Sequence, residues 1–293
     1  LNVSYLYGGI TSFNGIGGHY GDADQPLILE TDEAFNTFEK IKISDLLVLN
    51  VDSDHLDYFK NIDNYKDAFY KVMKNVTDNL VVNNDDLNIK SMKELKKSVA
   101  YDKDISADFK VQSAGIFIYK NNKYEIKSDI IGDHFKSNML GAIILALLNG
   151  IEIKDSLNAI ESFPGVKRRI ELIGRSKGVS IYDDYGHHPT EMEATITALK
   201  QQTDNKLYVV FQPHRYTRTK EYFNLFKDSL KLADYAIVTD IYPAGESSIP
   251  GVSSKNFEEE CIKYLKSIRY VPEYLSKKVQ NGDIILTLGA GDI

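Results

Sequence analysis

Cysteine is all but missing: Cys261 is the only one in 293 residues. That excludes an internal disulfide framework and a cysteine-based zinc site, and it fits a reducing cytosol. No stretch approaches ~18 consecutive apolar residues, and no basic head with an apolar core opens the chain, so neither membrane insertion nor a secretory leader is expected. A basic field is missing too. The 35 Lys and Arg are interspersed with 42 Asp and Glu, for a formal charge of −7, whereas duplex nucleic acid calls for clustered positive charge. No G-x-x-x-x-G-K-[ST] element occurs, and Gly15-Ile16-Gly17-Gly18 lacks the lysine and hydroxyl that make a phosphate loop. There is no internal repeat and no low-complexity tract. The expectation is a soluble cytoplasmic protein that binds no nucleic acid.

What is present is an ordinary globular composition, 43% hydrophobic, over a length that suits two domains. Apolar runs at Pro26–Leu29, Leu46–Val51, Val179–Tyr182, Leu207–Phe211, Tyr235–Thr239 and Asp283–Leu288 alternate with helix-like stretches, the pattern of an α/β fold with parallel strands buried on both faces. Ile62, Tyr65, Phe69, Val72 and Val76 recur at helical spacing. Residues 105–131 alternate around Lys120-Asn121-Asn122-Lys123 and predict antiparallel strands. An apolar helix is predicted over Met139–Leu148, preceded by polar His134–Asn138, and another over Ile153–Phe163, stopped by Pro164-Gly165. The strand-loop-helix pattern restarts near Glu171–Arg175, which places a domain boundary there and makes the C-terminal part Rossmann-like. The chain enters directly into a strand-like segment at Leu1 and stops at a glycine turn that would ordinarily lead into a helix. Both ends therefore read as cut.

Chemistry-bearing residues gather where strands end. Leu29-Glu30-Thr31-Asp32-Glu33 and Leu49-Asn50-Val51-Asp52-Ser53-Asp54-His55 each follow an apolar run, and adjacent strand ends of one parallel sheet would bring them together as oxygen-rich ligands with one imidazole, suited to Mg²⁺ or Mn²⁺ near a substrate phosphate. Helix capping by the same acidic residues is the plainer alternative. Gly132-Asp133-His134-Phe135-Lys136-Ser137-Asn138 would either contact a nucleotide or cap a helix. Arg168-Arg169 would clamp a phosphate or simply be solvated. Two loops are more specific: Tyr182-Asp183-Asp184-Tyr185-Gly186-His187-His188-Pro189-Thr190-Glu191 and Phe211-Gln212-Pro213-His214-Arg215-Tyr216-Thr217-Arg218-Thr219. Both would project from the same sheet edge, and His187, Arg215 and Arg218 suit a carboxylate. Five of the six histidines lie in such strand-end loops, where function concentrates.

These two loops, with Tyr242-Pro243-Ala244-Gly245-Glu246 and Gly289-Ala290-Gly291-Asp292, resemble the Mur ligase family in its alanine-adding branch, in order and spacing across essentially the whole chain. The resemblance implies a partial central parallel-sheet ATP-binding domain over residues 1–171, followed by a Rossmann-like C-terminal domain over 172–293 missing its last helix. It implies an ATP- and Mg²⁺-dependent ligase joining L-alanine to UDP-N-acetylmuramate through an acyl phosphate in peptidoglycan precursor synthesis, with this piece inactive alone. On that resemblance Glu33 and His55 would ligate Mg²⁺. His134 and Asn138 would lie at the adenine, and Arg169 and Asp184 at the nucleotide. His187, Arg215 and Arg218 would hold the alanine carboxylate, with Glu33, His55, Arg169 and His187 forming the catalytic set. The chain departs from the family pattern at Phe135, where an asparagine is usual, and at Ala34-Phe35, where Ser-Asp is usual. A muropeptide-recycling ligase and a noncatalytic nucleotide- or amino-acid-binding protein are the alternatives.

Overall fold

The computed structural model describes residues 2–11, 15, 17–31, 33–52, 56–92, 98–103 and 108–293. The chain forms two compact units. The first takes most of the sequence through Pro164; the second takes Gly165–Ile293 together with Ile130–Gly132 and Thr11.

In the first unit, β1 (Ser4–Leu6) pairs antiparallel with β2 (Gly18–His19) and parallel with β3 (Leu27–Leu29). A separate six-stranded sheet runs in the order β4 (Asp45–Val48), β5 (Asn79–Asn83), β6 (Ser98–Asp102), β7 (Phe109–Ser113), β8 (Ile116–Tyr119), β9 (Asn122–Glu125). Its first four strands are parallel. Its last two turn back antiparallel, as the alternation over 105–131 predicts. Between the strands lie α1 (Leu56–Phe59), α2 (Ile62–Lys74) and α3 (Leu87–Ser91), followed by α4 (Asp133–Leu148) and α5 (Ile153–Glu161). Asn61 caps α2, its side chain accepting from Asn64 N at 2.8 Å. The helix turns Tyr65, Ala68, Val72 and Met73 into a core shared with Val48, Leu80 and Val82. Gly141 lets α4 press onto β4, because a Cβ there would stand 2.8 Å from a Leu47 methyl.

Two expectations need correction. β3 and β4 are not neighbours in one parallel sheet: β3 pairs with β1 in the three-stranded sheet, so the segments ending at Glu33 and leading to His55 leave different sheets. Hydrophobic pattern identifies a strand but not its partner, and here Leu27 and Ile28 stay more than half exposed. Also, His134–Asn138 do not precede the apolar helix. They are its first turns, because α4 begins at Asp133, whose carboxylate suits a helix N-terminus.

The second unit is a single six-stranded sheet in the order β10 (Glu171–Ser176), β11 (Val179–Asp184), β15 (Ile284–Leu288), β12 (Leu207–Phe211), β13 (Tyr235–Val238), β14 (Ile262–Tyr264). β10 is antiparallel and the other strands are parallel. Helices α6 (Pro189–Lys200), α7 (Tyr216–Glu221), α8 (Phe223–Leu230) and α9 (Val271–Ser276) connect them. Every residue of β12 is buried. Tyr208 and Val210 pack with Val271 and Leu275 of α9, while Phe211 meets Phe226 of α8 at 5.3 Å between ring centroids. Both faces are covered, which is why the strand reads as an unbroken apolar run. Among the described residues no helix is long and apolar enough to cross a membrane.

Candidate functional site

In the second unit the parallel strands β11, β15 and β12 end side by side, with Asp184 opposite Leu288 and Leu288 opposite Phe211. The polar loops that follow therefore share one edge, where open α/β sheets collect ligands. The loop after β11 is built around Asp184, which is 2% exposed. One carboxylate oxygen accepts from Gly186 N at 2.7 Å and the other from Ile170 N at 2.9 Å. Burial pushes its pKa up to about 6, outweighing the two amides and the positive charge of Arg169. Gly186 is needed for this turn: a Cβ would fall 2.8 Å from the Asp184 oxygen it bonds.

Asp183, also buried, is held by Arg168 Nε at 3.0 Å and by the Thr287 hydroxyl at 2.6 Å. The rest of the Arg168 guanidinium donates to the carbonyls of Gly289 (2.5 Å) and Gly291 (3.4 Å). The Arg168-Arg169 pair is thus divided. Arg168 ties the glycine turn after β15 to β11, whereas Arg169 is 40% exposed and reaches Glu191 at 3.6 Å. Arg168 and Ile170 both adopt left-handed backbone, φ 57° and 47°, and for a β-branched residue that is an outlier which surrounding bonds must hold.

α6 begins with a capping box. His188 Nδ1 accepts from Thr190 N at 3.4 Å, and Glu191 accepts from the His187 and His188 amides at 3.0 and 3.3 Å. The His187 ring lies 3.8 Å from Glu191 Oε2 and 5.9 Å, centroid to centroid, from the His214 ring of the neighbouring loop. His214 stacks on Tyr242 at 5.5 Å with the planes 10° apart. Backbone bonds from Tyr242 N to Pro213 O and from Arg215 N to Tyr242 O, each 2.8 Å, extend the β12–β13 ladder past the sheet. Burial lowers the His214 pKa to about 4, reinforced by the positive charges of His187, Arg215 and Arg218. The imidazole is therefore neutral at physiological pH amid a cationic group. Arg215 takes φ 69° immediately before α7. Glu246 accepts from the Thr217 amide at 3.0 Å and hydroxyl at 2.6 Å. Burial would raise the Glu246 pKa, but those bonds and Arg215 hold it below the usual carboxylate range.

His187, Arg215 and Arg218 are thus brought around His214, and Arg169 and Asp184 lie within the same loop system. The remaining expected residues belong to the first unit. Glu33 opens the 3-10 turn Ala34–Lys40 and accepts from the Tyr65 hydroxyl at 3.3 Å. His134 and Asn138 sit one turn apart on α4, hence on one helix face. His55 lies outside the described residues. Among those described, no group of three or more His, Cys, Asp or Glu is placed to hold a metal; Glu33 supplies a carboxylate of the hard oxygen type that suits Mg²⁺. His214 and Glu191 lie in the two loops singled out from the sequence but were given no role of their own, and Arg168 was expected as a phosphate clamp or a solvated side chain rather than as a tie to Asp183. The one signal available was the three-residue spacing from His188 to Glu191, which is that of a capping box.

The Mur ligase middle domain matches residues 32–146, and the Mur ligase, glutamate ligase domain matches residues 168–291. The chain is 37% identical, over its full length and 69% of the relative's, to the UDP-N-acetylmuramate–L-alanine ligase of Caldicellulosiruptor saccharolyticus. It spans about two thirds of the length of the curated relatives it matches. Its fold is similar to that of the UDP-N-acetylmuramate-alanine ligase MurC from Thermotoga maritima (TM-score 0.78, 24% identity, 99% of this chain and 66% of that one). It is also similar to the MurF ligase from Thermotoga maritima in complex with ADP (TM-score 0.73, 19% identity, 98% and 70%). With two family domains matched in succession and an identity of 37% running from end to end, this chain belongs to the Mur ligase family.

Proposed function

We propose that this chain carries the nucleotide- and amino-acid-handling parts of an ATP-dependent ligase that joins L-alanine to UDP-N-acetylmuramate, a step of peptidoglycan precursor synthesis in the cytoplasm that supports cell shape and division. In this reading residues 1–171 are the central ATP-binding domain and 172–293 the C-terminal domain. The observation that carries it is the grouping of His187, Arg215 and Arg218 around neutral His214 at the ends of β11 and β12. Two guanidiniums with an imidazole suit a small carboxylate, and the carboxylate of an amino acid bound there leaves its amine free to attack.

The sugar-nucleotide carboxylate attacks the γ-phosphate of ATP, breaking the β–γ bond and releasing ADP, and the resulting acyl phosphate is attacked by the amine of alanine, which loses a proton as the amide forms and phosphate leaves. Arg215 and Arg218 pin the alanine carboxylate, and His187 adds a donor beside them. Arg169, presented by the strained turn that Asp184 holds, meets the nucleotide phosphates, while His134 and Asn138 on one face of α4 meet the adenine. Glu33 and His55 are the residues for Mg²⁺, which when bound neutralises phosphate charge.

The test is phosphate release by the full-length protein with ATP, Mg²⁺ and UDP-N-acetylmuramate, comparing L-alanine with the tripeptide L-Ala-D-Glu-diaminopimelate. Turnover with L-alanine, and an alanine KM raised at least tenfold by Arg215→Ala or Arg218→Ala with the ATP KM little changed, is the expected result. Turnover with the tripeptide alone would replace this reading by a recycling ligase.

A further inference from the structure

A helix cap needs a hydrogen-bond acceptor, not a charge, and glutamine serves a capping box as well as glutamate. Glu191 is placed for more than a cap. Its Oε2 accepts from the amides of His187 and His188 and also stands 3.8 Å from His187 Nδ1. Its Oε1 faces Arg169 Nη1 at 3.6 Å. One carboxylate thus touches the histidine that leads the amino-acid cluster and the arginine on the far side of the β11 loop. The same loop is closed from below by Asp184, and Tyr185 packs edge-on against the His187 ring at 5.3 Å with the Arg169 guanidinium 5.9 Å from its centroid. His187 Nδ1 also lies 3.2 Å from the Tyr185 carbonyl oxygen, and Asp184 adds negative charge near Arg169. Glu191 is a carboxylate within 4 Å of both side chains, so its rotamer bears on both.

We infer that Glu191 is a positioning residue whose negative charge, rather than its capping, aims His187 at the incoming amino acid and Arg169 at the nucleotide. This rests on the roles proposed above for His187 and Arg169. It adds that the two ends of the site are coupled through one carboxylate. Burial alone would raise the pKa of Glu191, yet His187, Arg169 and the two amides hold it below the usual carboxylate range, so the charge is present throughout the working pH range.

The discriminating variant is Glu191→Gln in the full-length protein, because glutamine keeps an oxygen for the two amides but removes the negative charge beside His187 and turns an NH₂ toward Arg169, donor against donor. Its melting temperature should stay within a few degrees of the parent, while the L-alanine KM rises about tenfold and the ATP KM several-fold. In a His187→Asn background the same substitution should leave the alanine KM nearly unchanged, since the partner through which it acts is gone. Normal KM values in E191Q, or equal effects in both backgrounds, would show that Glu191 is only a cap, and loss of folding in E191Q would show that its charge is structural; each overturns the inference. Failure of the unaltered protein to turn over L-alanine would instead remove the functional reading beneath it, a result that the parent assay reports separately.

Discussion

Replacing Arg168 by alanine should unfold the second unit more easily rather than merely weaken ligand binding. The guanidinium makes one charged bond to Asp183 at 3.0 Å and two to the carbonyls of Gly289 and Gly291. Asp183 is 8% exposed, so truncation leaves a buried carboxylate with the Thr287 hydroxyl as its remaining side-chain partner. Breaking a fully buried pair costs ~3–5 kcal/mol. The Arg168 side chain is 32% exposed, so water can reach the gap and the loss falls to ~2–3 kcal/mol. With a urea dependence of ~2 kcal/mol per M, the midpoint should drop by about 1 M. The sequence has no tryptophan, so far-UV circular dichroism is the probe. The double variant R168A/D183N should recover part of the loss, because the orphaned charge is removed with its partner. An R168A protein as stable as the parent, with only its ATP affinity reduced, would refute this and return Arg168 to the role of phosphate ligand.

Three further outcomes follow from the same geometry. The Asp184 pKa is raised to about 6, above its unfolded value near 3.9, so its contribution to stability is complete below pH ~4 and is lost as pH rises through about 6; D184N should flatten the stability–pH curve over that window, and an unchanged curve would contradict the burial argument. His214 has its pKa lowered to about 4 from an unfolded value near 6.5, so it favours the folded state above pH ~6.5 and that favour is lost as pH falls toward 4. Its imidazole C–H resonance should stay flat from pH 8 to 5, and a midpoint near 6.5 would show an open, hydrated ring. Gly289 has φ 150°, and a Cβ there would stand 2.7 Å from the Gln212 carbonyl; Gly289→Ala should cost at least ~2 kcal/mol in thermal or urea unfolding, and a neutral effect would mean that the turn has room to move.

The legible parts of the fold were those in which hydrophobic pattern and burial coincide. β12 is recovered residue for residue because both its faces are covered, and the 109–125 strands because alternation and an Asn-Asn turn agree. β10 was not recognised, since its residues Glu171–Ser176 are mostly exposed at a sheet edge, with Ile173 at 61%. The start of α4 was missed because its first turns carry the polar residues His134, Lys136, Ser137 and Asn138, which dilute the hydrophobic signal. In the candidate site, residue type at a strand end was enough to single out His187, Arg215 and Arg218. Which donor meets which acceptor was not legible. Arg168 and Arg169 are adjacent and chemically identical, yet one is spent on Asp183 and two carbonyls while the other faces Glu191. That difference is set by a left-handed turn for which neither residue has a preference.

The position of β15 has a consequence for how the second unit is made. It follows all the other strands in sequence, yet it lies between β11 and β12, and each of these pairs with it along five residues. During synthesis β12, β13 and β14 can assemble with their helices as a half-sheet, but β11 and β10 have nothing to dock on until Ile284–Leu288 have left the ribosome. The loops bearing His187 and His214 acquire their fixed separation only then. A ribosome-stalled chain ending before residue 284 would present two disconnected ribbons with open edges, vulnerable to proteases and to pairing with other chains, and the site would snap into register with the last strand.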